Sequence, residues 1–133
     1  MFKTIILSML LGTVLLATVT NKYPSKEMID SKIPIIDIRT PDEWRETGII
    51  KGAITIMFFN ERGGYDIHSF LKELNQKVDT KKPFAVICRT GRRTQILSDF
   101  LSKKLNYDVI NLQGGMVYLK SLNIPSLIVP YKK

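Results

Sequence analysis

Cysteine, histidine and tryptophan are almost missing from this chain, with one of each in 133 residues. A single cysteine, Cys88, excludes a disulfide within the chain. It also excludes paired-thiol oxidoreductase chemistry, because no second sulfur is present to resolve a mixed disulfide. No metal-ligand cluster is visible, so no metal and no organic cofactor is expected. Internal repeats and low-complexity tracts are missing too, and the prolines and glycines are scattered, which excludes a disordered or solenoid chain. What remains is a composition that is 44% hydrophobic and 24% charged, ordinary for a globular chain of one-domain length.

Acidic residues are scarce relative to basic ones, 12 against 20, for a net charge of +8. Lysine pairs (Lys81 and Lys82, Lys103 and Lys104, Lys132 and Lys133) read as solvated surface. Only Lys3 is charged within the first twenty residues. After it, residues 5–19 are apolar except for Ser8, Gly12, Thr13 and Thr18. A basic start followed by an apolar run too short for a comfortable span is the shape of a secretory signal. Small residues Ala17, Thr18 and Thr20 stand where a peptidase would cut, although no A-x-A motif is present. Residues 1–20 are therefore expected to be a signal peptide or, uncleaved, an N-terminal anchor, and no cysteine follows them to carry a lipid. The protein is expected to be exported, periplasmic in a bacterium. Export argues against a nucleic-acid partner, and contact with a membrane is expected only through residues 1–20.

Beyond this segment, residues 21–33 read as a leader with a short helix capped by Ser25. Residues 34–38 read as a compact strand. Thr40, Pro41 and Glu43 form a capping box with proline at the first helical position, and Gly48 ends that helix. Residues 49–59 are apolar and β-rich. Asp66 caps a helix whose apolar stripe is Ile67, Phe70, Leu71 and Leu74. Phe84, Ala85, Val86 and Ile87 form a strand with no polar interruption, as in a central parallel strand buried on both faces. A helix carrying Ile96, Leu97, Phe100, Leu101 and Leu105 is expected to begin near Thr94. It is followed by a strand at 109–112, a Gly114-Gly115 turn and a helix at 116–122. Residues 125–133 read as a tail. The alternation predicts an α/β fold, a small mostly parallel sheet flanked by helices, over residues 34–124. Ligand sites in such sheets gather where strand gives way to helix, and Cys88 lies at such a junction.

The segment Cys88-Arg89-Thr90-Gly91-Arg92-Arg93-Thr94 carries the chemistry. A turn centred on Gly91 can aim backbone N–H groups inward, and the helix that follows adds free donors and partial positive charge. Such surroundings favour a thiolate over a thiol. They would equally hold an anionic persulfide or an oxyanion. A lone cysteine after an apolar strand is more often a buried small residue. Three arginines within five residues weigh against that here, because buried unpaired charge is costly.

These segments, in this order, resemble a rhodanese domain. The matching residues are Asp37-Ile38-Arg39-Thr40-Pro41-Asp42-Glu43-Trp44, Gly48-Ile49-Ile50-Lys51-Gly52-Ala53, Cys88-Arg89-Thr90-Gly91-Arg92-Arg93 and Asn111-Leu112-Gln113-Gly114-Gly115. The resemblance implies a rhodanese-like α/β fold and a sulfurtransferase of the thiosulfate type, with Cys88 as the sulfur-accepting nucleophile. It also implies that Arg89, Thr90, Gly91, Arg92 and Arg93 form the substrate loop, and that Asp37, Arg39 and Glu43 are scaffold behind it. The implied partners are a small anionic sulfur donor and a nucleophilic acceptor such as cyanide, a thiol or a protein. Two positions depart from the family: Ile49 replaces a usual histidine, and Tyr118-Leu119 stands where a tryptophan is common. His68 matches no catalytic position and is expected at the surface or the edge of the core. The rival readings are a non-catalytic rhodanese-like module and, ranked lower, a cysteine-dependent phosphatase or arsenate reductase. The phosphatase pattern wants an arginine at position 94, where Thr94 stands, and a histidine in place of Ile87.

Overall fold

The protein is represented by a computed structural model that describes residue 12 and residues 17–133. The sequence expectation for the apolar run therefore falls mostly outside the described residues. Among those described, no helix is long and apolar enough to cross a membrane.

The elements follow as β1 (Val19–Lys22), α1 (Lys26–Asp30), β2 (Ile35–Asp37), α2 (Pro41–Thr47), β3 (Ile49–Ile50), β4 (Ile54–Thr55), α3 (Ile67–Lys77), β5 (Phe84–Ile87), α4 (Arg92–Leu105), β6 (Val109–Leu112), α5 (Gly115–Ser121) and β7 (Ile128–Val129). Five strands form one sheet in the order β1-β6-β5-β2-β4, with every pair parallel. The remaining strands, β3 and β7, pair antiparallel as a separate two-stranded sheet. The α/β architecture expected from the alternation of elements is thus present.

The residues of β5 show why the sheet is central. Alternate side chains point to opposite faces. Phe84 and Val86 join the core with Phe70, Leu74, Leu97 and Leu101, while Ala85 and Ile87 join a second core with Met116 and Leu119. Because both faces are covered by helices, all four residues are fully buried. A strand that is apolar at every position is the sequence consequence of that double burial.

Local signals set most helix starts. The Thr40 hydroxyl accepts from the Glu43 amide, and the Glu43 carboxylate accepts from the Thr40 amide, completing the capping box. Asp66 accepts from the Ser69 amide at the start of α3, and Ser25 accepts from the Met28 amide at the start of α1. His68 is exposed on α3, as expected.

Three boundaries differ from the sequence expectation. Residues 19–22, assigned partly to the apolar segment and partly to a leader, form the edge strand β1 in register with β6, Val19 opposite Val109 and Lys22 opposite Leu112. Three of its four residues are exposed, so it carries no apolar pattern by which to recognise it. Residues 125–133, expected as a tail, contribute β7, and Tyr131 packs on Trp44 at 5.3 Å between ring centroids. Helix α4 begins at Arg92, two residues before the expected Thr94, because Gly91 takes a left-handed conformation and serves as its cap.

Candidate active site

Parallel topology brings the C-terminal ends of β2, β5 and β6 to one end of the sheet, and β5 delivers Cys88 there. The chain turns at Gly91 (φ 94°), and its amide donates to the Cys88 Sγ at 3.2 Å. The Thr94 hydroxyl lies 3.6 Å from the same sulfur and donates to the Gly91 carbonyl at 3.1 Å. The sulfur therefore sits inside a closed turn capped by the first residues of α4, whose first-turn N–H groups lack partners within the helix. Gly91 supplies no side-chain cap for them.

A second element fixes the loop from behind. The amides of Met116 and Val117, in the first turn of α5, donate to the carbonyls of Cys88 (2.9 Å) and Arg89 (3.0 Å). This close approach requires glycine at the start of α5. A Cβ on Gly115 would lie 2.4 Å from the Cys88 carbonyl oxygen and 2.5 Å from that of Arg89, closer than real contacts allow. Gly115 also has a φ of 58°, which disfavours a side chain.

The structure brings together all the site residues expected from the sequence, in unequal positions. Arg89, Thr90 and Arg92 are exposed around the rim, while Gly91 is buried. Cys88 is only 1% exposed, whereas a nucleophile open to a donor was expected. The reason is the tight turn that folds the Gly91 amide over the sulfur. Only that one amide reaches the sulfur among the described hydrogen bonds, fewer than the expected ring of donors. The guanidinium of Arg93 is engaged elsewhere: its two terminal nitrogens grip both oxygens of Glu43 at 2.7 and 2.8 Å. Arg93 thus braces the loop to α2, and Arg89 and Arg92 are the loop cations that have no ion pair among the described residues.

Burial pushes the Glu43 carboxyl up, but the hydrogen bond and charge of Arg93, helped by the Thr40 amide and the Arg39 charge, outweigh it. The carboxyl is held below its ordinary 4.5. On Arg93, the Glu43 hydrogen bond raises the guanidinium further; burial opposes this, and the charges of Glu43, Cys88 and Asp37 add to it. Because the folded Glu43 carboxyl ionises more readily than the unfolded one, its stabilisation is complete above about pH 4.5. It is lost as the pH falls through the lower folded value. We therefore expect Glu43→Gln to have a lower melting temperature than wild type at neutral pH, and the gap to narrow steadily on acidification below about pH 4.5. A gap that stays constant down to about pH 3 would show that the pair is not ionic.

Beneath this brace lies a buried pair. Arg39 (1% exposed) donates from Nε and NH2 to Asp37 (0% exposed), from NH1 to Thr47 Oγ1 at 2.6 Å and from NH2 to the Gly48 carbonyl at 2.7 Å. Trp44 Nε1 donates to Asp37 Oδ1 at 3.1 Å. Asp37, Arg39 and Glu43, expected as scaffold behind the loop, are held there by ion pairs, Arg39 with Asp37 and Arg93 with Glu43. Two clefts flank the loop. One, about 380 Å³, lies beside Arg39, Glu43, Thr47, Arg89 and Lys120. The other, about 360 Å³, lies beside Asn21, Thr90, Arg92, Gln95 and Gln113. Sequence reasoning missed two contributors, Thr94 beside the sulfur and the α5 amides. Both act through backbone or short hydroxyl contacts that leave no pattern in the sequence. No cluster of metal-ligating side chains occurs among the described residues.

Comparison with known proteins agrees with this geometry. A family model described as a rhodanese-like domain matches residues 21–121. No curated protein matches the chain. Among solved structures, the M. tuberculosis protein Rv0390 is 20% identical with a TM-score of 0.60, the match covering 74% of this chain and 80% of that one. A rhodanese-like domain protein of Staphylococcus aureus is 24% identical with a TM-score of 0.52, covering 69% and 79%. Bacillus anthracis CoADR-RHD, also 24% identical with a TM-score of 0.59, aligns over 86% of this chain but only 18% of its own length. The family match runs from within β1 to the end of α5 and includes the cysteine turn and both elements that hold it, so this chain belongs to the rhodanese-like domain family.

Proposed function

We propose that the protein is a sulfurtransferase that carries a sulfane sulfur as a persulfide on Cys88, taking it from a small anionic donor of the thiosulfate type. The observation that carries this reading is the Cys88 sulfur held by the Gly91 amide at 3.2 Å inside a loop whose rim bears Arg89 and Arg92. An amide hydrogen bond to sulfur stabilises the anionic form of thiol and persulfide alike.

The Cys88 thiolate attacks the outer sulfur of thiosulfate. The S–S bond of the donor breaks, sulfite leaves with the electron pair, and Cys88 retains S–S⁻. Arg89 and Arg92 offset the charge of the approaching dianion and departing sulfite. Arg93 acts indirectly, by keeping the loop against α2. A nucleophilic acceptor (cyanide, a thiol or a protein) then removes the terminal sulfur and restores the thiolate. Since Cys88 is buried, loading requires the exposed Arg89-Thr90 rim to part. No cofactor is needed for either half.

The burial of Cys88 favours one competing reading, a binding module in which the cysteine is only a packed small side chain. Turnover separates the two. With thiosulfate and cyanide as substrates, the wild type is expected to produce thiocyanate and Cys88→Ser none. Equal rates in the two proteins would reject the sulfurtransferase, and hydrolysis of an aryl phosphate in place of sulfur transfer would move the assignment to the phosphatases.

A further inference from the structure

One buried side chain beside the Cys88 loop is only half used by the fold. Asn111 stands in β6 among Val109, Ile110 and Leu112, and it is 3% exposed. Its Nδ2 donates to Asn21 Oδ1 on β1 at 3.0 Å, but its own Oδ1 has no partner among the described residues. Turning both amides over exchanges donor and acceptor and still leaves one polar atom of Asn111 unmatched. A buried polar atom without a partner costs stability, and an apolar residue of similar size would avoid that cost. The fold alone does not account for this amide.

Asn111 lines the cleft of about 360 Å³ on the β1 side of the loop. It is paired with Val86, two residues before Cys88. Val109, two residues before Asn111, joins the same core face as Val86 and Cys88, so Asn111 points to the face that carries the sulfur. One strand over and two residues back puts its backbone about 8 Å from that of Cys88. The carboxamides of Asn21, Gln95 and Gln113 surround it, and the loop contributes Thr90 and Arg92. Arg92 is the one charged side chain in the lining, which holds no carboxylate.

Four carboxamides and one guanidinium suit a ligand with a peptide-like amide and one negative charge. Thiosulfate has no amide. The space lies in the lower part of the range for small organic ligands, about 300–1,000 Å³. Thr90 belongs both to this cleft and to the rim that parts over Cys88, so parting opens the cleft onto the sulfur. Resting on the sulfurtransferase reading, we propose that the cleft is the acceptor subsite and that the acceptor is a small thiol bearing an amide and a carboxylate, an N-acylated cysteine in kind. Its amide offers both an N–H and a C=O, and so satisfies Asn111 in either orientation. Its carboxylate meets Arg92 once sulfite has gone. The thiol proton passes to the outer sulfur of the persulfide, and the acceptor sulfur bonds to that atom as its bond to Cys88 breaks. The products are the acceptor persulfide, R–S–SH, and the Cys88 thiolate.

The full chain is loaded with thiosulfate, freed of it, and discharged with N-acetylcysteine or with 3-mercaptopropionate, which keeps the carboxylate and lacks the amide. The readout is the ratio of the two rates on each protein, which cancels any loss common to both thiols. Asn111→Leu is expected to cut the wild-type ratio about tenfold, and Gln95→Ala about threefold. Gln95 is exposed, so its variant keeps the test open should Asn111→Leu fold poorly. A ratio unchanged in the variants, with loading intact, overturns the proposal alone. A wild type that takes up no sulfur refutes the sulfurtransferase reading instead, and the cleft is then judged by binding. Titration with N-acetylserine, the oxygen analogue, is expected to shift the side-chain amide resonances of Asn111 and Asn21, and propionate is not. No shift, the result if water alone serves Asn111, overturns the proposal whatever the sulfur chemistry.

Discussion

Replacing Arg39 by alanine is expected to destabilise the protein by about 3–5 kcal/mol, the cost of leaving a buried carboxylate without its partner. Asp37 is 0% exposed and accepts from the Arg39 backbone, the Arg39 side chain and Trp44, so it loses its counter-charge while staying sealed from water. Domains of this size are stable by only about 5–15 kcal/mol, so the variant will retain a minor part of its stability or fold poorly. Arg39→Lys rescues little, because one ammonium cannot reach Asp37, Thr47 and Gly48 together as the guanidinium fork does. Urea unfolding of wild type, Arg39→Ala and Arg39→Lys measures this directly. A loss below about 1 kcal/mol in Arg39→Ala would mean that water enters the site or that Asp37 is neutral.

The second large effect is on the loop. Gly115→Ala places a methyl group 2.4 Å from the Cys88 carbonyl, and the neighbours that must yield are backbone atoms. The loop then leaves the α5 amides, and the sulfur leaves its place by about an ångström. Displacements of that size cost about 100-fold in rate when positioning carries the chemistry. Sulfur loading by thiosulfate should fall by about that factor, while far-ultraviolet circular dichroism stays close to wild type. Unchanged loading would show that the α5 contacts do not position the nucleophile. The two variants differ in kind: Arg39 acts on the whole fold from beneath the site, and Gly115 acts on the loop alone.

Most of the fold was legible in the sequence because its signals are local. The unbroken apolar run of β5 announced double burial, and Thr40, Glu43, Asp66 and Ser25 marked helix starts by cap chemistry that needs only neighbours in sequence. Elements held by distant partners gave no such signal. Strand β1 is polar and exposed, and it exists because β6 offers a free edge. Strand β7 exists because β3 lies across from it. The same division runs through the site. Cys88 and its arginines were visible as a motif, but the role of Arg93 depends on Glu43, fifty residues away. The short sequence around the cysteine could not show that this arginine binds a carboxylate of the protein rather than an anion from solution. The enclosure of the sulfur likewise follows from the left-handed turn at Gly91 and from α5 closing behind it.

The most direct test of the central claim is the intact mass of purified protein after incubation with thiosulfate and removal of excess donor. The account predicts one added sulfur atom on the wild type, removed by cyanide, and none on Cys88→Ser. A wild-type mass that does not change under conditions in which the protein is folded, or an added sulfur that persists in Cys88→Ser, would contradict it.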